Sequence, residues 1–324
     1  MRVLFAGTPA CAAAALKTVA CNAELCGILT NPPAPAGRSK RLQDSEVATA
    51  VQTLKEQGLI EKAVPVLTPH KLDAAFRETL QSLHPDLLVC FAYGKIFGPK
   101  TMNLFPLGGI NVHPSLLPRW RGASPVPAAI HAGDKTGGIT IQTIAPKTDS
   151  GNILAKTEFP LDGTETAESL LAKCAELCCP LLSGVLKNFP EKLKNAEPQN
   201  EEAATYSSII KKEDGLIDWS KPAEQIERKI RAFTPWPGCF SYKNTEKINI
   251  ISASLYNNFT EEMTKNKKFG TILGTDQKAG ILILTGSGVL AVSVLQKQTK
   301  NKLFWKDFLN GSPGFLQGGF ETEI

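Results

Sequence analysis

The sequence predicts an α/β protein with a doubly wound, mostly parallel sheet, followed by a small β-barrel of the OB type. In the first half of the 324-residue chain, short apolar runs alternate with helical patterns. This alternation is typical of a parallel sheet with helices on both faces. The second half contains several short strand-like runs separated by glycine and polar turns, which is typical of small barrels. A charged segment with two prolines separates the two halves.

These patterns divide the chain into three parts. Residues 1–189 form the predicted α/β domain, residues 190–206 a linker, and residues 207–324 the barrel-like domain. The length of the chain suits about two domains with well-buried cores. The polar composition of residues 190–206 is typical of a connection between domains.

The chain begins with a strand, a turn and a helix. Residues 2–6 are an apolar run, and Gly7-Thr8-Pro9 separates them from an alanine-rich helical stretch at residues 10–20. A second strand is predicted at residues 25–30. The turn lacks the G-x-G-x-x-G pattern, so it does not indicate a dinucleotide site.

Periodicity predicts the later elements of the first half. Helices are predicted at residues 45–57, 72–83, 124–132 and 167–186, and strands at residues 64–66, 86–90, 109–113 and 138–144. Ser45 is a candidate N-cap for the first of these helices. If the strands at 86–90 and 109–113 are parallel neighbours, their carboxyl ends lie together.

The second half begins with a short predicted helix at residues 222–232. The strand-like runs that predict the barrel lie near residues 240–242, 247–255, 270–273, 281–285 and 289–296.

Composition argues against a membrane or secreted protein. Hydrophobic residues make up 42% and charged residues 21% of the chain, both ordinary for a soluble globular protein. We find no apolar run of about 18 residues and no secretory signal pattern. We therefore expect a cytoplasmic protein without membrane contact. Nothing in the sequence demands a dimer, so we expect a monomer.

The eight cysteines form no CxxC pair. Cys174, Cys178 and Cys179 lie in an apolar helical pattern and are predicted core residues. We therefore expect no metal site. The formal net charge is +5, and the second half is the more basic one. This charge permits contact with a polyanion, and a solvated surface explains it equally well.

A long loop at residues 31–44 contains three prolines and then a cluster of cations, Arg38, Lys40 and Arg41. Loops of this length are uncommon in compact domains unless they are functional or disordered. Two interpretations are open at this point. The cations are solvated on a surface loop, or they form an arm that contacts nucleic-acid phosphates.

The most informative stretch begins at the end of the strand at residues 109–113. Asn111 and His113 are two residues apart, so their side chains share one face of that strand. The proline-rich loop that follows lies where open α/β sheets bind ligands, at the carboxyl end of a strand. An amide can donate to an oxyanion, and an imidazole can move a proton near neutral pH. A structural histidine is the alternative interpretation of His113.

This stretch also carries a resemblance to a known family. The run Asn111-Val112-His113-Pro114-Ser115-Leu116-Leu117-Pro118 resembles the signature of the folate-dependent formyltransferases, and Arg119-Trp120-Arg121-Gly122-Ala123-Ser124-Pro125 extends the match. Ala6-Gly7-Thr8-Pro9, Ala92-Tyr93-Gly94 and the segment at residues 307–311 resemble other parts of the family. The resemblance covers nearly the whole chain. It implies a formyltransferase-like variant of the Rossmann fold and a C-terminal OB-like domain that binds tRNA.

The resemblance implies the reaction. The donor would be 10-formyltetrahydrofolate, and the acceptor would be the α-amino group of methionine on initiator tRNA. Asp149 lies in the turn that matches the family's catalytic aspartate, although an aspartate in a polar turn is by default a turn-former. Asn111 would bind the oxyanion, His113 would transfer the proton, and Asp149 would orient His113 or a bridging water. Such a set suits attack of a neutral amine on an activated acyl donor, without a serine or cysteine nucleophile.

The resemblance also implies binding residues. The folate site would be lined by Phe91, Ala92, Tyr93, Gly94, Ser115, Leu116, Leu117 and Pro118. The tRNA would meet Arg38, Lys40 and Arg41. The Arg119-Trp120-Arg121 run, the Arg38 loop and the second domain all favour a tRNA acceptor.

The sequence departs from the family pattern at two places. Ala10-Cys11 stands where the family has Asp-Phe, and Ser150 and Asn152 replace a threonine and an aspartate near Asp149. Two other functions stay open at this point. One is formyl transfer to another amine, such as glycinamide ribonucleotide or an amino sugar. The other is nucleic-acid binding without catalysis.

Overall fold

The computed structural model describes residues 1–36 and 41–321. The chain divides into two compact units. Unit 1 comprises Met1–Pro125, Thr136–Pro160 and Leu170–Ser207, and unit 2 comprises Val126–Lys135, Leu161–Ser169 and Ser208–Ile324. Two short segments of the predicted first domain, residues 1–189, therefore belong to unit 2.

The strands up to residue 207 are β1 (Arg2–Gly7), β2 (Glu24–Leu29), β3 (Ala34–Ala36), β4 (Arg41–Gln43), β5 (Val66–Leu67), β6 (Leu87–Phe91), β7 (Gly109–His113), β8 (Arg121–Gly122), β9 (Thr136–Thr143), β10 (Ile153–Pro160) and β11 (Tyr206–Ser207). The helices over the same range are α1 (Ala10–Asn22), α2 (Glu46–Glu56), α3 (Ala74–Ser82), α4 (Pro99–Met102), α5 (Pro125–Ala132), α6 (Ala167–Lys187) and α7 (Phe189–Lys194).

Unit 1 is built on a seven-stranded sheet in the order β10-β9-β7-β6-β1-β2-β5. The five strands from β7 to β5 in this order are parallel, and β9 and β10 extend the sheet in antiparallel pairing. The predicted doubly wound, mostly parallel sheet is confirmed. Cys90 of β6 pairs with Asn111 of β7, so the carboxyl ends of these two strands lie together as predicted.

Local sequence explains the central elements. Strands β1 and β6 are almost completely buried, as expected for parallel strands covered on both faces. Helix α2 begins after Ser45, whose hydroxyl oxygen accepts a hydrogen bond from the Ala48 N–H at 3.0 Å. This is the N-cap that the sequence predicts.

Two segments are more regular than their composition suggests. In the predicted loop at residues 31–44, β3 and β4 form a short antiparallel ribbon that pairs Ala34 with Gln43. The predicted linker contains α7, a single 3-10 turn at Glu201–Ala203, and β11. Strand β10 is absent from the predicted strands, although buried and exposed residues alternate along part of it.

Helix α6 is long and apolar enough to cross a membrane by length and composition alone. Its buried residues recur every three or four positions: Leu170, Cys174, Ala175, Cys178, Leu182, Val185 and Leu186. This spacing places them on one stripe, which is typical of a helix that packs on a protein core.

Unit 2 contains an antiparallel sheet and several short helices, among them most of α5. Its strands are β12 (Cys239–Lys243), β13 (Glu246–Tyr256), β14 (Ile272–Asp276), β15 (Gly280–Leu284), β16 (Val289–Lys297) and β17 (Leu303–Phe304), and its helices after residue 208 are α8 (Ala223–Ala232), α9 (Glu261–Thr264) and α10 (Trp305–Asn310).

The strand order in unit 2 is β12-β13-β16-β15-β14, and β17 pairs with β16. Within residues 1–36 and 41–321, no strand pair joins β12 to β14. The sheet is compatible with the predicted OB-like fold, without a closed barrel. Trp219 lies at its core, where the indole N–H donates to Ser241 Oγ at 2.9 Å.

Candidate active site

The site lies at the carboxyl end of β7, where this strand meets β9. His113 pairs with Thr140, and Asn111 pairs with Gln142. Side chains at directly paired positions of an antiparallel ladder lie on the same face. Four polar side chains therefore form one surface, and Thr140 and Gln142 are both buried within it.

Asp149 reaches this surface from the turn after β9. Its Oδ2 accepts the Gly122 N–H at 2.8 Å. Its Oδ1 accepts the Gln142 Nε2–H at 2.9 Å and faces the Asn111 amide nitrogen at 3.4 Å. The residue itself has a positive φ of 50°, a conformation that costs energy for a side chain other than glycine. These three N–H groups fix the carboxylate in place.

The imidazole of His113 lies between two oxygen atoms. Its Nε2 is 2.9 Å from the Trp120 carbonyl oxygen, and its Nδ1 is 3.6 Å from Asp149 Oδ1. A carbonyl only accepts, so Nε2 carries the proton in the neutral ring and Nδ1 carries the lone pair. Burial lowers the pKa of His113 below its ordinary value, and the Asp149 charge and the Trp120 carbonyl partly oppose this shift. The ring is therefore mainly neutral at neutral pH.

The structure thus brings together the three residues that the sequence predicts as catalytic. They come from positions up to 38 residues apart. The His113 side chain is 5% exposed and that of Asp149 is 14% exposed, so both groups are largely shielded from water.

The loop after His113 is anchored on β9. The Thr140 hydroxyl donates to the Ser115 carbonyl oxygen at 2.7 Å and accepts the Leu117 N–H at 3.1 Å. At Gly122 the φ is 110°, and a Cβ there would lie 2.3 Å from the Ser207 carbonyl oxygen. Only glycine fits this position, and its N–H is the one that binds Asp149.

The predicted folate residues of this loop differ in exposure. Ser115 and Leu117 are buried, and the Ser115 hydroxyl donates to the Arg119 carbonyl oxygen at 2.6 Å. Leu116 and Pro118 are partly exposed. Their roles in folate binding stay predictions, and Leu116 and Pro118 are the side chains of this group with accessible surface.

The second predicted folate segment follows β6. The side chains of Phe91 and Tyr93 are buried. Ala92 and Gly94 are exposed and have φ values of 50° and 83°. The accessible part of this segment is therefore mainly backbone, which agrees with the kind of contact that the resemblance implies.

The cations that the sequence connects with tRNA differ in whether the structure describes them and in their exposure. Arg38 and Lys40 lie outside the described residues. Arg41 is on β4 and is exposed. Arg121 of the Arg119-Trp120-Arg121 run is completely buried and forms an ion pair with Glu201 at 2.7 Å. Arg121 is an internal residue and does not support the tRNA interpretation drawn from that run.

Sequence reasoning missed two side chains that the structure places at the site, Gln142 and Gln199, and it did not predict that Arg121 is buried. Gln142 had a signal, because it is a polar residue on an otherwise apolar strand next to Asn111. Gln199 had none, since it lies 57 residues from Gln142 in a segment that resembles a linker.

The arrangement suits acyl transfer directly to an amine. It offers a neutral imidazole, a fixed carboxylate and an amide donor on one surface. The thiol of Cys90, next to Asn111 in the sheet, has its pKa raised to about 12 by burial, so it stays protonated and is a poor nucleophile. Within residues 1–36 and 41–321, we find no cluster of three or more His, Cys, Asp or Glu side chains that could hold a metal ion.

Two family models match the chain. The model described as "Formyl transferase" covers residues 1–186, and "Formyl transferase, C-terminal domain" covers residues 209–313. The two models together cover most of the chain, which therefore belongs to the formyl transferases.

Similarity to individual relatives identifies the family within the formyl transferases. A protein of Treponema denticola named methionyl-tRNA formyltransferase is 69% identical over 99% of this chain and 100% of its own length. A protein of Treponema pallidum with the same name is 48% identical over 98% of both chains. The chain belongs to the methionyl-tRNA formyltransferase family, and the resemblance seen in the sequence is confirmed.

A solved structure is similar in fold. The N-formyltransferase from Helicobacter canadensis, solved in complex with folinic acid and dTDP-3-aminofucose, has a TM-score of 0.61 and 18% identity. The match covers 91% of this chain and 98% of that protein. At this identity the likeness supports the fold alone.

Proposed function

We propose that Asn111, His113 and Asp149 transfer the formyl group of 10-formyltetrahydrofolate to the α-amino group of methionyl-tRNA. The product is N-formylmethionyl-tRNA for translation initiation. The observation that carries the proposal is the convergence of these three side chains at the sheet edge, with His113 Nδ1 3.6 Å from Asp149 Oδ1. The relatives that match the whole chain support the choice of methionyl-tRNA as acceptor.

The reaction begins with attack of the neutral amine on the formyl carbon. A carbon–nitrogen bond forms, and the carbonyl oxygen becomes an oxyanion. The Asn111 amide has two hydrogens, one of which faces Asp149, so the second can donate to this oxyanion. Hydrogen-bond donors aimed at a developing charge are among the largest contributions to catalysis.

The attacking amine then loses a proton, and we assign its acceptance to Nδ1 of His113. Protonated His113 faces the Asp149 carboxylate, and this opposite charge stabilises the imidazolium. The carbon–nitrogen bond to the folate breaks next, and His113 returns the proton to the folate nitrogen. Tetrahydrofolate and the formylated amine are the products, and His113 is neutral again.

Substrate binding follows the sequence assignments. We propose that folate lies along residues 91–94 and 115–118, where Ala92, Gly94, Leu116 and Pro118 have accessible surface. The tRNA contacts would come from Arg38, Lys40 and Arg41, and from the domain at residues 207–324 after the 190–206 linker. We place the protein in the cytoplasm, where charged tRNA is available, as a monomer without membrane contact.

A single assay tests the activity. Purified protein is incubated with 10-formyltetrahydrofolate and either methionyl initiator tRNA or methionyl elongator tRNA, and formylmethionine is measured after hydrolysis of the tRNA. We expect formylation, with initiator tRNA preferred. Binding of tRNA without turnover would favour a nucleic-acid-binding protein without catalysis. Formylation of a small amine in place of tRNA would favour a formyltransferase with another amine acceptor.

The Asn111→Ala variant tests the assignment of the oxyanion donor. Removal of one such donor lowers the rate by roughly 10²–10³-fold. We expect kcat to fall by this amount while the KM for folate changes little. Unchanged formyl transfer in this variant would contradict the role of Asn111.

A further inference from the structure

The segment that connects the two family domains is bound along the catalytic loop. The Thr205 N–H donates to the Pro118 carbonyl oxygen at 3.2 Å, and the Arg121 N–H donates to the Thr205 carbonyl oxygen at 2.8 Å. Tyr206 then pairs with Arg121 as β11 lies parallel to β8. All these residues belong to unit 1. This part of the chain is therefore a fixed element of the catalytic unit.

Gln199 lies in this segment, and every polar atom of its amide has a partner. Its Oε1 accepts the Arg121 Nε–H at 3.0 Å. A guanidinium only donates, so the amide oxygen must face Arg121 and the amide nitrogen must face the other way. The nitrogen lies 2.9 Å from the Asp149 carbonyl oxygen and 2.7 Å from the Gly151 carbonyl oxygen.

The same nitrogen also sets the orientation of Gln142. It lies 3.1 Å from Gln142 Oε1, which also accepts the Gly151 N–H at 3.1 Å. Two donors at this atom identify it as the oxygen, so the Gln142 nitrogen must face Asp149 Oδ1, at 2.9 Å. The hydrogen bonds therefore run in one direction: Arg121 donates to Gln199, Gln199 donates to Gln142, and Gln142 donates to the Asp149 carboxylate. The two hydrogens of the Gln199 amide are shared among Gln142 and the carbonyl oxygens of Asp149 and Gly151. Hydrogen bonds in such a directed chain strengthen one another.

We propose that Gln199 is a positioning residue for formyl transfer, which holds Asp149 against His113 through Gln142 and through the backbone of the turn. This inference rests on the proposed role of Asp149 and His113 in catalysis. The turn has a particular need for support, because Asp149 has a positive φ, which is unfavourable for a non-glycine residue. Gln199 binds the carbonyl groups of Asp149 and Gly151, on both sides of Ser150.

Arg121 provides the fixed end of this chain. Its guanidinium is buried and forms two hydrogen bonds with Glu201, at 2.7 and 3.1 Å. The Glu201 side chain is 60% exposed. The catalytic unit thus includes residues of the predicted linker, 190–206. A fragment that ends at residue 189 lacks both Gln199 and Glu201.

The first test compares Gln199→Ala and Gln199→Glu with Glu202→Ala, a matched change at an exposed residue of the same segment. Small displacements of catalytic groups lower rates by up to roughly 100-fold. We expect kcat to fall between about 10- and 100-fold in both Gln199 variants, with the KM values for folate and tRNA nearly unchanged. The glutamate keeps a partner for Arg121 but has no N–H for Gln142 and the turn, so it should not restore kcat. Glu202→Ala should retain wild-type kcat.

The second test needs no catalysis. The chain has four histidines, so the His113 ring can be followed by NMR titration and assigned with a His113→Ala variant. Burial lowers the pKa of this ring, and the Asp149 carboxylate and the Trp120 carbonyl oxygen raise it. Displacement of Asp149 therefore lowers the pKa of His113 further. We expect this downward shift in Gln199→Ala and no shift in Glu202→Ala.

Several outcomes would overturn the inference. Wild-type kcat in Gln199→Ala, or a rise in the KM for tRNA alone, would show that the segment does not position the catalytic groups. A loss of activity that vanishes after correction for the folded fraction, measured by thermal unfolding, would reduce Gln199 to a structural residue. If the wild-type protein formylates no tRNA, the proposed function fails, and the His113 titration still decides whether Gln199 positions Asp149.

Discussion

Buried polar groups are used differently in the two units. In unit 1 the buried polar side chains around the sheet edge are His113, Ser115, Arg121, Thr140 and Gln142. Thr140 donates to the carbonyl oxygen of Ser115, and Gln199 links Arg121 to Gln142, which donates to Asp149. In unit 2 buried polar groups act singly: the Ser241 hydroxyl accepts from Trp219, and Lys243 Nζ donates to the Gln317 carbonyl oxygen at 2.6 Å.

This difference predicts whether a substitution affects the catalytic residues or only the local stability of its unit. A buried polar group left without a partner costs about 1–3 kcal/mol in either unit. In unit 1 the partners are shared, so a change at one residue is passed to its neighbours and reaches Asp149. In unit 2 each pair is separate, so the cost should remain local and appear as lost stability.

The strongest test of this contrast is His113→Ala. General acid–base catalysis contributes roughly 10²–10⁴-fold, so kcat/KM for methionyl-tRNA should fall within this range. The matched control is His70→Ala, at an exposed position, which should retain full activity. Both variants are compared in the formylation assay at neutral pH. Activity within about threefold of wild type, well below the range for acid–base catalysis, would remove His113 from the reaction.

Asp149→Asn sharpens the contrast through pH. The substitution keeps the shape of the side chain and removes the charge that raises the pKa of His113. The pKa of His113 should therefore fall further, and the acid limb of the kcat/KM profile should move to lower pH. At the optimum, kcat should fall by roughly 10²-fold, the lower end of the acid–base contribution. An acid limb that stays in place or moves upward would contradict the assigned pairing.

Trp219→Phe tests the second unit. The change removes the indole N–H that Ser241 accepts and leaves the buried hydroxyl without its donor. We expect a loss of about 1–3 kcal/mol in the free energy of unfolding, measured with denaturant, and an unchanged kcat. The double variant with Ser241→Ala should be destabilised by less than the sum of the two single changes, because it removes the unpaired hydroxyl. A drop in kcat in fully folded Trp219→Phe protein would contradict the prediction that substitutions in unit 2 affect only stability.

Arg41→Ala should have the smallest effect. Arg41 is exposed, so its removal should leave stability unchanged. If it contacts a tRNA phosphate, the slope of log affinity against log salt should decrease by about 0.7–0.9. The measurement is tRNA binding at several salt concentrations. The control is Lys62→Ala, which removes an exposed cation in the loop after α2. An unchanged slope would exclude the phosphate contact.

Much of the fold could be predicted because its signals are local. The strand that carries Asn111 and His113 follows from an apolar run, and the start of α2 follows from Ser45. The i, i+2 spacing also predicts correctly that Asn111 and His113 would meet at one site. Asp149 came only from the family resemblance, since its own sequence context predicts a turn.

The rest depends on contacts that are distant in sequence. The Arg119-Trp120-Arg121 run favours a tRNA acceptor by its charge, because a sequence shows charge and does not show that Arg121 is buried. The segment before Ser207 has the composition of a linker, and its binding to the catalytic loop uses backbone groups such as the Thr205 N–H and carbonyl. Every residue except proline offers these backbone groups, so no side-chain pattern announces them.

The attachment of β11 to β8 has a consequence for protein engineering. Spacers inserted after Ser207 should leave the catalytic half intact, whereas spacers inserted between Gln199 and Ser207 should disturb it. Chimeras that exchange the C-terminal half among relatives should therefore be joined beyond Ser207, with the whole preceding stretch taken from the donor of the catalytic half.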